Sequence, residues 1–390
     1  MKKFIFTAFA LFFSGLCFAA ADYRSSFLKG NIQDKTAAVR EASGDEGLWL
    51  SAAALKFSLE NKQYLGKDRD LDSLVVAAIL SIPDTFFDDK SNPDTAVFMN
   101  DFTTVFSVFS DSNTVQIALL QKIIQIKDKI DTKPFTKILN TYIQNLSPSS
   151  DASVSKAVFS ALEAIGDRES FVILYNHWNN KRLSAFYSDI EKTLVSLTDI
   201  SSNEIIQIIH SKDINQICKV FSLAQKKSQI SQNILCEIAG NALSESILLI
   251  DSSSKLTQEV KDLQAQCLFI LVRNKWTRAS TIAIDYLRFS KKMFDDSVID
   301  EDGFAKVITS MSDISPIDSV NPLCSLLDEY NNRKEKNEKV PDSVVRAVIS
   351  TLGAIGNKSA FDYLLAVTYL SYPEEVLAAA REALAGLRWQ

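Results

Sequence analysis

Histidines are the first residues to consider for catalysis, and the chain has only two, His177 and His210. A nucleophilic mechanism would need one of them beside an activated Ser or Cys. His177 follows Tyr175-Asn176, and His210 follows the apolar run 205–209. Both positions are typical of ordinary helix ends, and no G-x-S-x-G nucleophile motif is present. We therefore predict no catalytic residue.

Carboxylates are the second possible source of chemistry, as metal ligands or as an acid–base pair. They cluster at Asp88-Asp89, at Asp295-Asp296 and at 300–303, which reads Asp-Glu-Asp-Gly. The last cluster resembles part of a calcium loop but lacks the ligand spacing that ends in a bidentate Glu. We favour a solvated loop between helices, with calcium binding as the alternative. We predict no metal site and no cofactor.

Cysteines could pair as disulfides in an oxidising compartment. Four of them follow the N-terminal region, each among apolar residues and none in a Cys-x-x-Cys pair: Cys218, Cys236, Cys267 and Cys324. We interpret them as buried thiols that pack as small hydrophobic side chains. A bridge such as Cys218–Cys236 stays open, because connectivity cannot be deduced from spacing.

Aromatic side chains could form a docking surface. Phe98, Phe102, Phe106 and Phe109 recur with helical spacing and make one apolar stripe. Core packing is the usual role of such a stripe, and a peptide-binding or membrane-touching face is the alternative. One or two of the tryptophans, which are spread along the chain, could anchor a partner: Trp49, Trp178, Trp276 and Trp389.

The elements that position these residues are helices arranged in a repeat. The clearest unit has an apolar stripe with i, i+3, i+4 and i+8 spacing from Val344 to Leu352. Gly356 can adopt the left-handed conformation that ends a helix, and Asn357 suits the turn that follows. A second apolar helix is predicted at 360–368. One such helical hairpin cannot bury its apolar face alone, so neighbouring hairpins must stack.

The same unit occurs again 190 positions earlier. Small and apolar residues recur in register from Val154 to Leu174, and the turn Gly166-Asp167 matches Gly356-Asn357. Weaker copies of the helix pattern occur elsewhere: 35–58, 115–123, 189–197, 232–239, 263–271, 305–310 and 375–387. Intervals of about 32–42 residues are typical of two-helix solenoid repeats. They indicate about eight or nine units.

The sequence Val-Arg-Ala at 345–347, followed by Leu-Gly-Ala-Ile-Gly-Asn-Lys-Ser-Ala at 352–360, resembles the HEAT repeat. It is most similar to the short bacterial form related to the phycobilisome-lyase repeats. The similarity is strong over 341–387 and good over 151–175, although the Pro of the pattern is missing after Asn357. The resemblance implies an α-solenoid with a concave face of second helices. It implies no single activity, since members are mostly scaffolds and protein binders, with a few enzymes.

The first 21 residues have the pattern of a signal peptide, with two lysines, an apolar stretch at 4–13 and a small-residue site at 19–21. We predict cleavage before Asp22 and export to a periplasmic or extracellular space. Cys17 would allow lipid attachment. Leu16, however, stands where such signals carry a small residue, which favours ordinary cleavage.

Composition narrows the class of partner. The chain carries 42 Lys and Arg against 48 Asp and Glu, a formal net charge of −6, and removal of the leader takes away two more lysines. Because nucleic-acid affinity depends on neutralising phosphates, we predict no nucleic-acid partner.

The 11 Gly and 8 Pro are too few for an all-β fold with frequent turns. After the leader no apolar stretch reaches the roughly 18 residues of a transmembrane helix, so we predict no membrane span.

These observations predict an all-α protein built as an α-solenoid. The expected divisions are a signal peptide at 1–21, degenerate N-terminal repeats or a cap at 22–110, and a HEAT-like solenoid at 111–390. The expected function is a non-catalytic scaffold in the cell envelope that binds a protein or peptide. The alternative is an all-α enzyme, a lyase or a glycan-acting protein, with two carboxylates brought together on the concave face.

Overall fold

The computed structural model describes residues 22–89, 92–180, 183–252 and 256–388. The predicted leader at 1–21, including Cys17, lies outside these ranges, as does Trp389. Within them every regular element is an α-helix or a short 3-10 helix, and there is no strand. The all-α prediction is confirmed. The chain divides into two compact units, of which the first ends at Ile165 and the second starts at Gly166.

The first unit consists of two rows of helices. Its helices are α1 Tyr23–Lys29, α2 Ile32–Glu41, α3 Gly44–Leu65, α4 Arg69–Ser81, α5 Pro93–Val108, α6 Asn113–Ile126, α7 Lys133–Gln144 and α8 Ala152–Ile165. In one row α2 packs on α4, α4 on α6 and α6 on α8, while α1, α3, α5 and α7 contact one another in the same order. Each helix therefore packs against the helix two places further along the chain.

The second unit follows the same order. Its helices are α9 Arg168–Asn180, α10 Tyr187–Leu197, α11 Ser202–Ile209, α12 Ile214–Lys226, α13 Gln232–Ser252, α14 Gln258–Arg273, α15 Ser280–Asp295, α16 Glu301–Ile314, α17 Val320–Glu335, α18 Asp342–Ile355, α19 Phe361–Val367 and α20 Glu374–Ala385. One row runs α10, α12, α14, α16, α18, α20, and in the other α11 packs on α13, α13 on α15 and α17 on α19.

The predicted boundary at 110/111 falls inside the first unit, in the turn between α5 and α6. Because α6 packs on both α4 and α8, the helices on either side of residue 110 share one core. The Phe98–Phe109 stripe belongs to that core, since Phe98, Phe102, Phe106 and Phe109 are all buried. Its prediction as core packing is confirmed.

Short polar residues determine where several helices begin. Asn31 and Asp34 form a reciprocal capping box at the start of α2. Asp68 accepts hydrogen bonds from the backbone N–H groups of Asp70 and Leu71 at 2.7 and 3.1 Å. Such caps satisfy N–H groups that have no partner within the first turn, so they determine where these helices begin.

The repeat unit identified in the sequence has the predicted local structure. α18 ends at Gly356, which is left-handed with φ of 70°, and Asn357 accepts a hydrogen bond from the Ser359 N–H at 2.9 Å. In the earlier copy Asp167 accepts from the Ser170 N–H, also at 2.9 Å. Both turn residues therefore bond local backbone, as expected.

Side chains join helices at a regular interval along the sequence. In the first unit Ser112 donates to Asp72 and Asn113 to Asp151, pairs that are 40 and 38 positions apart. In the second unit the linked pairs are separated by 32 to 42 positions: Arg168 with Ile200, His210 with Glu245, Lys261 with Val298, Lys291 with Glu329 and Ser343 with Glu301. This is the interval found between the sequence repeats.

α18 and α20 make backbone-to-backbone contact at Gly353. A Cβ atom placed on Gly353 would lie 2.8 Å from both the Cα and the Cβ of Ala383. Glycine and alanine at this crossing therefore allow α18 and α20, the first helices of two neighbouring hairpins, to pack without a gap.

Candidate functional site

A wide groove lies between α14 and α16, and we call it the α14–α16 groove. Its volume is about 1250 Å³, it is open to solvent, and α15 forms its floor. Small-molecule sites are usually smaller, on the order of 300–1,000 Å³. The size of the groove therefore suits a peptide or a helix of another protein.

Four buried side chains of α15 form the floor: Tyr286, Phe289, Ser290 and Met293. The rings of Tyr286 and Phe289 are stacked with 6.2 Å between centroids. Burial raises the pKa of Tyr286 to about 12, so its phenol is protonated at neutral pH. The floor is a mainly apolar surface that bears two neutral hydroxyl groups, those of Tyr286 and Ser290.

The wall formed by α14 exposes an unusual amount of apolar surface. Leu268, Phe269 and Val272 line it, and Val298 lies at its edge. The Phe269 side chain is 63 % exposed. Aromatic residues of this kind are enriched in protein–protein interfaces, so Phe269 is the residue of this wall that is best placed to contact a partner.

The groove exists because α14 and α16 are not drawn together as α18 and α20 are. Where α18 and α20 meet through Gly353 and Ala383, α14 and α16 face the groove with Leu268, Val272 and Val307. These larger side chains prevent backbone contact. Phe294, which lines the groove near the end of α15, stacks on the buried ring of Phe304 with 5.1 Å between ring centroids, and this contact fixes one edge of the gap.

Carboxylates predominate at the rim. Asp262, Asp300 and Glu301 line the groove, and among the described residues they accept hydrogen bonds from neutral groups only, a side-chain amide, a backbone N–H and a hydroxyl. Asp313 lies 3.8 Å from the ammonium of Lys275. Within the part of the chain that the structure describes, the first three carboxylates have no ion-pair partner.

Two lysines also line the groove, Lys261 and Lys306. The Lys261 ammonium donates to the Val298 carbonyl at 3.1 Å, which holds it against the loop between α15 and α16. With four carboxylates and two ammonium groups along the lining, the groove is acidic overall.

The acidic clusters of the sequence have structural roles. Asp300 caps α16 by accepting from the Gly303 N–H at 2.8 Å. Asp88 pairs with Lys129, and Asp295 with Lys291, each at 2.7 Å. Over the residues that the structure describes, no group of three or more His, Cys, Asp or Glu is placed to hold a metal ion.

The two histidines lie apart from the groove. His210 ends α11, and its Nδ1 is 2.6 Å from Oε1 of Glu245, whose side chain is 10 % exposed. His177 is in the last turn of α9. His210 is thus a helix-end residue, as predicted. Its partner on α13 was missed, although a separation equal to the repeat interval was a signal that could have found it.

The four described cysteines are free thiols, so the Cys218–Cys236 disulfide that the sequence left open is not formed. Cys236, Cys267 and Cys324 are buried and Cys218 is half-buried. Burial raises the pKa of each thiol, to about 11 for Cys324. Their interpretation as packing side chains is confirmed for the three buried ones.

None of the three described tryptophans lines the groove. Trp178 is buried against Tyr187 at 5.5 Å, Trp49 lies under Arg24 in the first unit, and Trp276 follows α14. The residue that sequence reasoning missed is Phe269. Its signal was the run 267–272, which is apolar on every side of a helix and so exceeds what one buried face requires.

Among the described helices, α13 has a stretch long and apolar enough to cross a membrane, Gln232–Ile250, with mean hydropathy 1.3. Half of this stretch is buried inside the protein. Core helices of soluble proteins have the same property, so the stretch is weak support for a span.

Comparison with known proteins adds no relationship. No protein-family model matches the chain, and no curated protein is significantly similar to it.

Proposed function

We propose that the protein is an exported, non-catalytic scaffold that binds another protein through the α14–α16 groove. In this proposal the helix pairs of each unit stack as HEAT-like repeats of an α-solenoid. The groove carries the proposal, because it combines an open volume of about 1250 Å³ with an exposed aromatic ring and a buried apolar floor.

The packing of the helices supports the solenoid part. A solenoid repeat contacts only its neighbours. In the first unit the helices of both rows contact the next member of their row, and in the second unit those of the row from α10 to α20 do so. The side-chain links at separations of 32 to 42 positions match this repeat length.

The groove is bounded by first helices, α14 and α16, with the second helix α15 beneath. The HEAT resemblance implies binding on a face of second helices, so the proposed site departs from that expectation. The reason is local: large side chains lie between α14 and α16, and buried side chains of α15 form the floor of the gap.

Export is supported by the lysines, the apolar stretch and the small residues of 1–21. We expect the chain recovered from outside the cytoplasm to begin at Asp22, as measured by intact mass. Recovery outside the cytoplasm of a chain that still begins at Met1 would contradict export by cleavage. A mass that corresponds to a lipid attached to Cys17 would indicate membrane anchoring instead.

Binding through the groove is tested with the mature chain, residues 22–390, as an affinity bait for envelope proteins. The variant Phe269→Ala is compared with Tyr369→Ala, which removes an aromatic ring outside the groove that is more exposed still, at 81 % against 63 %. We expect Phe269→Ala to bind the captured partner at least about tenfold more weakly than wild type, a loss of about 1.4 kcal/mol in binding free energy. Tyr369→Ala is expected to bind it as wild type does. Equal capture by both variants and by wild type would overturn the proposal.

A further inference from the structure

The rim and the floor of the α14–α16 groove together define the chemistry of a partner. We propose that the groove binds a basic amphipathic helix of another protein. This inference rests on the proposed function, because it names the partner class of the same site.

The dimensions fit a helix. α14 has 16 residues and α16 has 14, so they are about 24 and 21 Å long at 1.5 Å per residue. A partner helix of about 16 residues would match this length. The open groove, at about 1250 Å³, is larger than a small-molecule pocket needs to be.

The apolar surface fits one face of such a helix. The buried side chains of Phe289 and Met293 lie at the bottom, and Leu268, Phe269 and Val272 stand along one side. An amphipathic helix that lays its apolar stripe into a groove makes this kind of contact, with anchors at i, i+3 or i+4 and i+7.

The charges decide the polar face of the partner. Asp262, Asp300 and Glu301 lie near the N-terminal ends of α14 and α16, and their hydrogen-bond donors among the described residues are all neutral. Lys and Arg beside the apolar stripe of the partner would compensate them, whereas Asp and Glu would add repulsion. Charge complementarity of this kind selects between partners.

The test uses three fluorescent synthetic peptides of about 16 residues. Two carry the same leucine stripe, one with lysines and one with glutamates on the polar face. The third has the composition of the lysine peptide in scrambled order, and it measures non-specific attraction to an acidic protein. Binding to the mature chain is followed by fluorescence anisotropy, and we expect the lysine peptide to bind at least about tenfold tighter than either other peptide.

Variants locate the bound peptide. Asp262→Lys is expected to weaken the lysine peptide about fivefold or more, while Asp328→Lys, the same charge change on α17, alters binding less than about twofold. Phe269→Ala is expected to weaken binding and Tyr369→Ala to leave it unchanged. Equal affinity for the lysine and glutamate peptides, or equal effects of Asp262→Lys and Asp328→Lys, would overturn the inference.

The two proposals fail separately. If capture of an envelope protein depends on Phe269 while no lysine peptide binds, the groove is a binding site and the basic helix is the wrong partner. If capture is also independent of Phe269, both proposals are overturned.

Discussion

Phe304→Ala is expected to lower the free energy of unfolding by about 3–5 kcal/mol. Phe304 is fully buried in α16 and stacks on Phe294, with 5.1 Å between ring centroids. Its truncation removes buried apolar surface and leaves a cavity, and both effects destabilise the folded state. Because Phe294 lines the groove, the groove should change shape as well.

Urea denaturation followed by circular dichroism measures this effect. Phe269→Ala is the matched control, since the same truncation at a largely exposed ring should change stability by less than about 0.5 kcal/mol. The two compact units can unfold separately, so the transition must be fitted for each unit. A loss below about 1 kcal/mol for Phe304→Ala would show that α16 does not depend on this ring.

Gly353→Ala and Gly240→Ala are expected to change stability in opposite directions. Both glycines lie inside helices, where alanine is favoured by about 1 kcal/mol. At Gly240 the new Cβ would be 3.6 Å from Cδ1 of Ile282, an ordinary contact, so the substitution should stabilise. At Gly353 the new Cβ would be 2.8 Å from the backbone of Ala383, so overpacking should destabilise by about 1–3 kcal/mol.

The pair of substitutions separates packing from helix propensity, because the chemical change is identical. Differential scanning calorimetry of the two variants gives the sign of each shift. Stabilisation by Gly353→Ala would mean that α18 and α20 can move apart freely. In that case the contact between Gly353 and Ala383 would not explain why α18 and α20 pack closely while a groove separates α14 from α16.

Much of the fold was predictable because its signals are local. The stripe from Val344 to Leu352 predicts a helix, and Gly356 predicts where it ends. Both follow from backbone and side-chain properties within one hairpin. The core role of Phe102 was predictable for the same reason, since helical periodicity alone places it on a buried face.

The groove was not predictable from any one segment. It depends on the distance between α14 and α16, and that distance is set by side chains that lie about 40 positions apart in sequence. Periodicity identifies Leu268 and Val307 as apolar, but it does not tell whether the two helices meet or stay apart. The division at 165/166 was hidden in the same way, whereas the repeat interval was an available signal for the pairing of His210 with Glu245.

The interval between linked residues has a consequence for how the chain acquires its structure. A contact between residues 32 to 42 positions apart can form once two neighbouring hairpins are present. The entropy lost on closing such a loop grows slowly with loop length. Contacts of this range favour rapid folding over the slow search needed for distant pairings. Within each unit, a chain that is released N-terminus first is therefore expected to fold vectorially, with each new hairpin docking on the preceding one.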